Sequence, residues 1–430
     1  MSEKTCMQNI SASKRFPFFR RPFVVLTALA GLLFTLIFVV CSRNFLPIGI
    51  SNPAEVWIGT WATAPQLVEP GNMPPKPGLS NNTLRQIVCV SIGGSRLRVR
   101  FSNEFGTSPV TLDTVQIAAS AGGSAIDPDT AQTLLFGGKP EVIIAPDTSV
   151  TSDPFDFALE PRTNVAITIH FGETSPDVTG HPGSRTTSYL LAGNQVSSVD
   201  FPKAVKTDHW YIINGIDVEA TGSEAAVVVL GNSITDGRGS GTNKQNRWPD
   251  QLAIRLQEKT ETRQAAVLNM GIGGNNVLSG GLGPYALSRF GRDVIGQNGV
   301  RWLIILEGIN DIGTSQGADG AAAAADGLIA AYGQMIDRAR AAGIRVYGAT
   351  MLPFGGSNYD TADRQAAWAQ VNEWIRSSGR FDAIIDLDAA MRDPANPLRL
   401  LPAADTGDHL HPNETGHQMM ADAVDLMLFK

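Results

Sequence analysis

The feature that most constrains this chain is a set of compact apolar runs in its second half: Ala226–Leu230, Ala266–Met270, Trp302–Leu306, Val346–Met351 and Ile384–Leu387. A run of this length without polar alternation predicts a strand buried on both faces. Helix-like segments lie between the runs, most clearly Arg247–Lys259, the Ala-rich stretch from Asp319 to Ala342 with Gly343 as its stop, and Asp363–Ser377. Strands alternating with helices predict an α/β domain over 224–430, a parallel sheet covered on both faces in three α/β/α layers. In such sheets the reactive crevice lies beyond the carboxyl ends of the strands.

Before Thr221-Gly222-Ser223 the rhythm is different. Leu97, Val99 and Phe101 alternate with Arg96, Arg98 and Arg100, and Val165, Ile167, Ile169 and Phe171 alternate with Asn164, Ala166, Thr168 and His170. Period-two patterns punctuated by Gly, Pro, Asn and Asp predict half-buried strands, hence an all-β sandwich over 54–220. The region shows no concentration of acid, base and nucleophile and reads as a module apart from the chemistry.

A length of 430 residues suits two domains, and 43% hydrophobic with 17% charged residues is a globular composition. The net charge of −7 and the lack of any Lys/Arg cluster beyond the N-terminus exclude a nucleic-acid partner. Lys14, Arg15, Arg20 and Arg21 precede an uncharged apolar stretch from Pro22 to Cys41, about twenty residues and long enough to span a bilayer. This pattern predicts a cytoplasmic segment 1–21 and a signal anchor 22–42, with everything downstream outside the cytoplasm. A cleaved signal peptide is the rival reading, and bulky Val40 before Cys41 argues against a lipoprotein site. Cys89 is the only cysteine beyond the anchor, so no intramolecular disulfide is expected there; it reads as a buried strand residue.

The first strand of the second half runs into Gly231-Asn232-Ser233-Ile234-Thr235-Asp236-Gly237. Ser233 therefore sits where a strand turns into a helix, the position of a nucleophile or, more plainly, of a helix N-cap. A base is sought in Asp405-Thr406-Gly407-Asp408-His409-Leu410-His411-Pro412-Asn413, where Asp408 and His411 are three apart. On a turn, that spacing lets the carboxylate hold one imidazole nitrogen while the other faces Ser233. His409 and His417 read as solvated or capping residues. No histidine or cysteine set completes a metal sphere, and Gly271-Ile272-Gly273-Gly274 lacks a nucleotide-loop spacing, so neither metal nor cofactor is expected. Oxyanion donors are available from Asn269–Asn275 after the second strand and from Glu307-Gly308-Ile309-Asn310-Asp311 after the third.

In this order Ser233, Gly274, Asn310 and the Asp408/His411 pair resemble the SGNH, or GDSL-like, serine hydrolase family. The chain as a whole is similar to two-domain bacterial members in which a β-sandwich precedes the hydrolase, with Gly59-Thr60-Trp61-Ala62 and Leu84-Arg85-Gln86 resembling its opening. The resemblance implies Ser233 as nucleophile, His411 as base and Asp408 as its orienter. It also implies an oxyanion hole of the Ser233 and Gly274 amides with the Asn310 side chain. The family usually has Asp before the nucleophile, whereas this chain has Asn232. The expected activity is hydrolysis of carboxylic esters through an acyl-serine, with short acyl groups on carbohydrate as the expected substrate. A glycan O-acyltransferase is the near alternative. An inactive hydrolase carried by a glycan-binding sandwich, with exposed Trp57, Trp61 and Trp210 stacking on sugars, is the alternative from another class, although core or interdomain packing is the favoured reading of these rings. Ser279–Arg292 and Phe354–Asp360 are the loops expected to shape the pocket.

Overall fold

The computed structural model describes residues 55–430, and the segments 1–21 and 22–42 lie outside the described residues. Among the described residues no helix is long and apolar enough to cross a membrane.

The chain opens with an all-β region. Strands β1 (Trp57–Ala62), β2 (Gln66–Leu67), β3 (Asn82–Cys89), β4 (Gly94–Ser102), β5 (Val110–Gly122), β6 (Phe155–Leu159), β7 (Asn164–Phe171), β8 (Thr179–His181), β9 (Ser188–Ala192), β10 (Trp210–Tyr211) and β11 (Ile213–Glu219) build it. One antiparallel sheet runs β1-β11-β4-β6 and a second has β9-β3-β7-β5 at its centre. Their inner faces share one core, in which Leu97, Val99 and Phe101 of β4 meet Val165, Ile167 and Ile169 of β7. Strand β7 departs from the half-buried expectation, because Ala166 and Thr168 on its outer face are buried too. Arg85 covers that face: its Nε donates to Thr168 Oγ1 at 2.8 Å and its guanidinium lies 3.9 Å over the Phe201 ring. Cys89 is buried and unpaired, and burial pushes its thiol up to about 11. A third, small sheet β10-β8-β2 stands at the edge of this region.

The second region holds β12 (Ala225–Gly231), β13 (Ala265–Gly271), β14 (Val300–Leu306), β15 (Arg345–Ala349) and β16 (Ala383–Ile385) in one parallel sheet of order β13-β12-β14-β15-β16. Every residue of β12 is buried, as its unbroken apolar run requires. Val227 and Val229 face one side, where α2 (Trp248–Gln257), α7 (Leu387–Met391) and α8 (Glu414–Asp422) pack. Val228 and Leu230 face the other, toward α5 (Gly317–Ala341) and α6 (Ala362–Ser377). The core on this second side continues into the β region through Ile58 and Trp61, and residues 55–430 fall within one compact unit. The chain adds β13 on one side of β12 and β14 on the other, and this is the switch point at which a parallel sheet opens a crevice.

One buried side chain ties the carboxyl ends of these three strands together. Arg289, on the short helix α3 (Ala286–Phe290), is 2% exposed. It donates to Met270 O at the end of β13 (2.7 Å), to Gly231 O at the end of β12 (3.1 Å) and to Glu307 Oε1 just past β14 (3.3 Å). Asn275 Oδ1 and Asp293 Oδ2 take its remaining donors. Removing one partner from a buried charge cluster costs about 3–5 kcal/mol, because the polar groups it held stay buried and unpaired. Arg289→Leu is therefore expected to lower the unfolding free energy by about that amount in urea titration; a loss below about 1 kcal/mol, the scale of an exposed pair, would contradict this role.

Candidate active site

The end of β12 presents Ser233. Asn232 is the N-cap of the short helix α1 (Ser233–Asp236), its side-chain oxygen accepting from the Ile234 amide at 3.1 Å. The cap assigned to Ser233 in its plain reading thus falls to Asn232, and the serine hydroxyl is left for other partners. It meets His411: Ser233 Oγ lies 2.9 Å from Nε2, and His411 Nδ1 lies 2.7 Å from Asp408 Oδ2. The turn before α8 makes this possible. Asp408 Oδ1 accepts from the His411 and Leu410 amides at 2.9 and 3.0 Å, which locks the three-residue spacing into one conformation.

Electrostatics in this chain of three favour a neutral imidazole beside an ionised carboxylate. Burial lowers the His411 pKa, Asp408 opposes that shift, and the positive charges of Arg238 and Arg185 reinforce it. Burial opposes ionisation of Asp408, but the His411 and Leu410 amides and the His411 ring outweigh it and hold this carboxyl well below its usual range. The Asp408 charge fixes Nδ1 as the protonated nitrogen and leaves Nε2 to accept from Ser233.

The oxyanion donors expected after β13 and β14 line the same cavity, of about 460 Å³, as Ser233 and His411. Gly274 takes φ of 68°, a left-handed conformation that suits glycine and shapes the loop past β13. Among the described residues, neither its amide nor that of Ser233 donates to an internal acceptor. Asn310 is oriented from both sides: Nδ2 donates to Asn275 O at 2.8 Å and Oδ1 accepts from the Tyr359 hydroxyl at 3.0 Å. That leaves one Nδ2 hydrogen for the cavity.

The other histidines of the C-terminal cluster are not brought to the serine. His409 pairs with Asp405, Nδ1 to Oδ2 at 2.6 Å. His417 is buried and not solvated, with Nδ1 accepting from the Trp248 amide that opens α2 and Nε2 donating to Arg238 O at 3.1 Å. Burial lowers its pKa to about 4. No group of three His, Cys, Asp or Glu residues suited to a metal occurs among the described residues.

Trp57, Trp61 and Trp210 are buried, as their core-packing reading expects, and the last two pack edge to face at 5.0 Å, so they offer no exposed platform for a sugar ring. One expectation changes here. The β region, which reads from sequence as a module apart from the chemistry, supplies one wall of the cavity: Gln66, Glu69, Asn72, Pro182, Gly183, Arg185 and His209 all border it. These residues lie in or just beyond the strands of the small sheet β10-β8-β2. Gly183 explains the close approach, since any Cβ there would lie 1.9 Å from Asp236 Oδ2 of α1. His181 completes the junction, with Nε2 2.8 Å from Asp236 Oδ1 and Nδ1 donating to Ala64 O at 2.9 Å. Sequence reasoning missed this wall because its residues are ordinary polar types far from the motifs. Of the two loops expected to shape the pocket, only Leu282 and Tyr359 border it.

Residues 229–419 match the family described as GDSL-like Lipase/Acylhydrolase. No curated protein matches the chain. Among solved structures, the chain is similar to an acetylxylan esterase from Geobacillus stearothermophilus at 23% identity, over 47% of this chain and 93% of that one, with a TM-score of 0.36. It is also similar to a GDSL-like lipase from Bacteroides thetaiotaomicron at 21% identity, over 47% of this chain and 87% of that one, with a TM-score of 0.35.

Asn232, the departure from the family pattern, has a local reason. Its Nδ2 donates to Glu307 Oε2 at 3.3 Å. Burial raises the Glu307 pKa to about 8 against the opposing pull of Arg289, so this carboxyl already resists ionisation. A group with a raised folded pKa contributes stability that is fully present below its unfolded value and is lost as pH rises through the folded one, here from about 4.5 to about 8. A second carboxylate at position 232 would compound that loss. Asn232→Asp is expected to lower thermal stability, with a larger drop at pH 8 than at pH 6; a penalty that shrinks as pH rises would contradict this account.

Proposed function

We propose that this protein, whose residues 229–419 match the family described as GDSL-like Lipase/Acylhydrolase, is a carboxylic ester hydrolase that works through an acyl-serine on Ser233 and removes short acyl groups, such as acetate, from carbohydrate. The observation that carries the mechanism is the continuous path from Ser233 Oγ through His411 to Asp408, with contacts of 2.9 and 2.7 Å. Ser233 Oγ attacks the ester carbonyl as its proton passes to His411 Nε2. The carbonyl oxygen takes the charge, facing the Ser233 and Gly274 amides and Asn310 Nδ2. Collapse breaks the ester bond, and His411 returns the proton to the departing alcohol. Water then gives a proton to His411, attacks the acyl-serine and releases the acid and the free hydroxyl.

The cavity supports a short acyl group. A long acyl chain is held by continuous apolar surface, whereas Pro182, Leu282, Tyr359 and Leu410 are here set among Gln66, Glu69, Asn72, Arg185, His209, Arg238 and Asn310. Such a lining suits a polyhydroxylated alcohol. The positively charged start followed by the apolar stretch 22–42 supports an exported, membrane-anchored protein acting on substrates outside the cytoplasm.

The test is hydrolysis of p-nitrophenyl acetate, butyrate and octanoate by the full chain and by Ser233→Ala. Acetate is expected to be the best substrate, and Ser233→Ala to lower kcat by at least roughly a thousandfold. Comparable turnover by wild type and variant would refute the serine mechanism, and a preference for octanoate would refute the short-acyl reading. His411 must be neutral to take the proton, so activity falls as pH drops through its pKa. Because burial and the two arginines lower that pKa, the acid limb of kcat/KM for p-nitrophenyl acetate is expected below the ordinary histidine value of about 6.5. An inflection above it would contradict the assignment.

A further inference from the structure

Two guanidinium groups border the cavity without a counter-ion. Arg185 reaches it from the β region and Arg238 from the segment after α1, and both act on His411 through their charge. Among the described residues neither side chain makes a hydrogen bond or an ion pair, although most arginines of this chain do, and the Arg185 Nε is buried with no partner at all. The Arg185 backbone is held in place at some cost. Its φ is 51°, a left-handed conformation uncommon for a side-chain-bearing residue. The segment 240–246 clamps it there, with Asn243 N donating to Arg185 O at 2.9 Å and Asn243 Oδ1 accepting from Thr187 N at 2.7 Å. Arg238 is fixed at its own carbonyl by buried His417.

The acidic groups of the cavity do not cancel this charge. His181 Nδ1 faces the Ala64 carbonyl, which can only accept, and Nε2 faces Asp236. The Asp236 carboxyl is thus already partnered, at 2.8 Å from His181 Nε2. Asp408 is engaged by His411. Glu69 stands on the β2 side and is already held by two amide donors, Gln66 Nε2 at 2.6 Å and Asn72 Nδ2 at 3.0 Å. Gln66, Glu69 and Asn72 together present the acceptor and amide groups that suit sugar hydroxyls.

We propose that Arg185 and Arg238 form a carboxylate-binding subsite beside Ser233, and that the preferred substrate is a short-acyl ester of an acidic sugar, a uronate. A planar guanidinium matches a carboxylate with two parallel N–H donors, and two of them flanking one cavity select an anionic alcohol portion over a neutral one. The β region is thereby a specificity element, since it carries one of the two cations. This inference rests on the esterase reading above.

The test compares the monoacetylated methyl glycoside of galacturonic acid, its carboxylate free, with monoacetylated methyl galactoside, which differ by the carboxylate. For the wild-type full chain, kcat/KM for the uronate ester is expected to exceed that for the neutral ester by at least about tenfold, the preference shrinking as salt is added. In the Arg185→Gln/Arg238→Gln protein the preference is expected to vanish, through a rise in KM for the uronate ester. A wild-type preference near unity, or one that survives the double substitution, would overturn the subsite. Should neither ester nor p-nitrophenyl acetate be turned over, the esterase reading itself fails. Calorimetric titration of Ser233→Ala with the methyl glycoside of galacturonic acid then reads the subsite alone: binding that disappears when both arginines are replaced supports it, and no binding refutes it.

Discussion

The Arg289 cluster is the constraint on which the active site depends. A parallel sheet ends in a row of backbone carbonyls that its own ladder does not satisfy, and this is also where the nucleophile and oxyanion donors must stand. Arg289 takes the Gly231 and Met270 carbonyls at the ends of two strands and Glu307 past a third. Through Asn275 it also governs the loop that carries Gly274, because Asn275 Nδ2 donates to Leu282 O and Pro284 O while Asn275 O receives Asn310 Nδ2. One buried cation therefore sets the spacing between Ser233, Gly274 and Asn310. Asn232 belongs to the same network, as a neutral neighbour of a carboxyl that already resists ionisation.

The second organising element is the junction between the β region and the parallel sheet. Its contacts are polar and specific as well as apolar: His181 bridges Ala64 and Asp236, and Arg292 pairs with Glu104 at 2.6 Å while donating to Pro65 O. Gly183 lets the two regions touch next to α1. The cavity is consequently a joint product. The parallel sheet brings Ser233, Gly274 and Asn310, and the β region brings Gln66, Glu69, Asn72 and Arg185 to the opposite wall.

Much of the parallel sheet was legible in the sequence, because a strand buried on both faces leaves a continuous apolar run such as Ala226–Leu230. Helices α2, α5 and α6 lie within a few residues of the ranges their patterns predict. The residues Ser233, Gly274, Asn310 and His411 line one cavity, with Asp408 behind His411, and they were readable because each follows a strand end or sits on a short turn with fixed spacing. What was not legible is what depends on three-dimensional approach. Arg185 and Glu69 carry no local signature, and only the packing of the small sheet against α1 brings them to the cavity. Strand β7 reads as half-buried because nothing in its alternation announces that Arg85 and Phe201 cover its outer face.

The central claim is that Ser233 carries the acyl group between two half-reactions. Its most direct test is to mix the full chain with p-nitrophenyl acetate, quench rapidly in acid, and map the acetylated residue by peptide mass spectrometry. The account predicts a transient mass increase of one acetyl group on the peptide containing Ser233, absent in Ser233→Ala. Ester turnover with no label on Ser233, or with the acetyl group on another residue that persists in the Ser233→Ala protein, would contradict it.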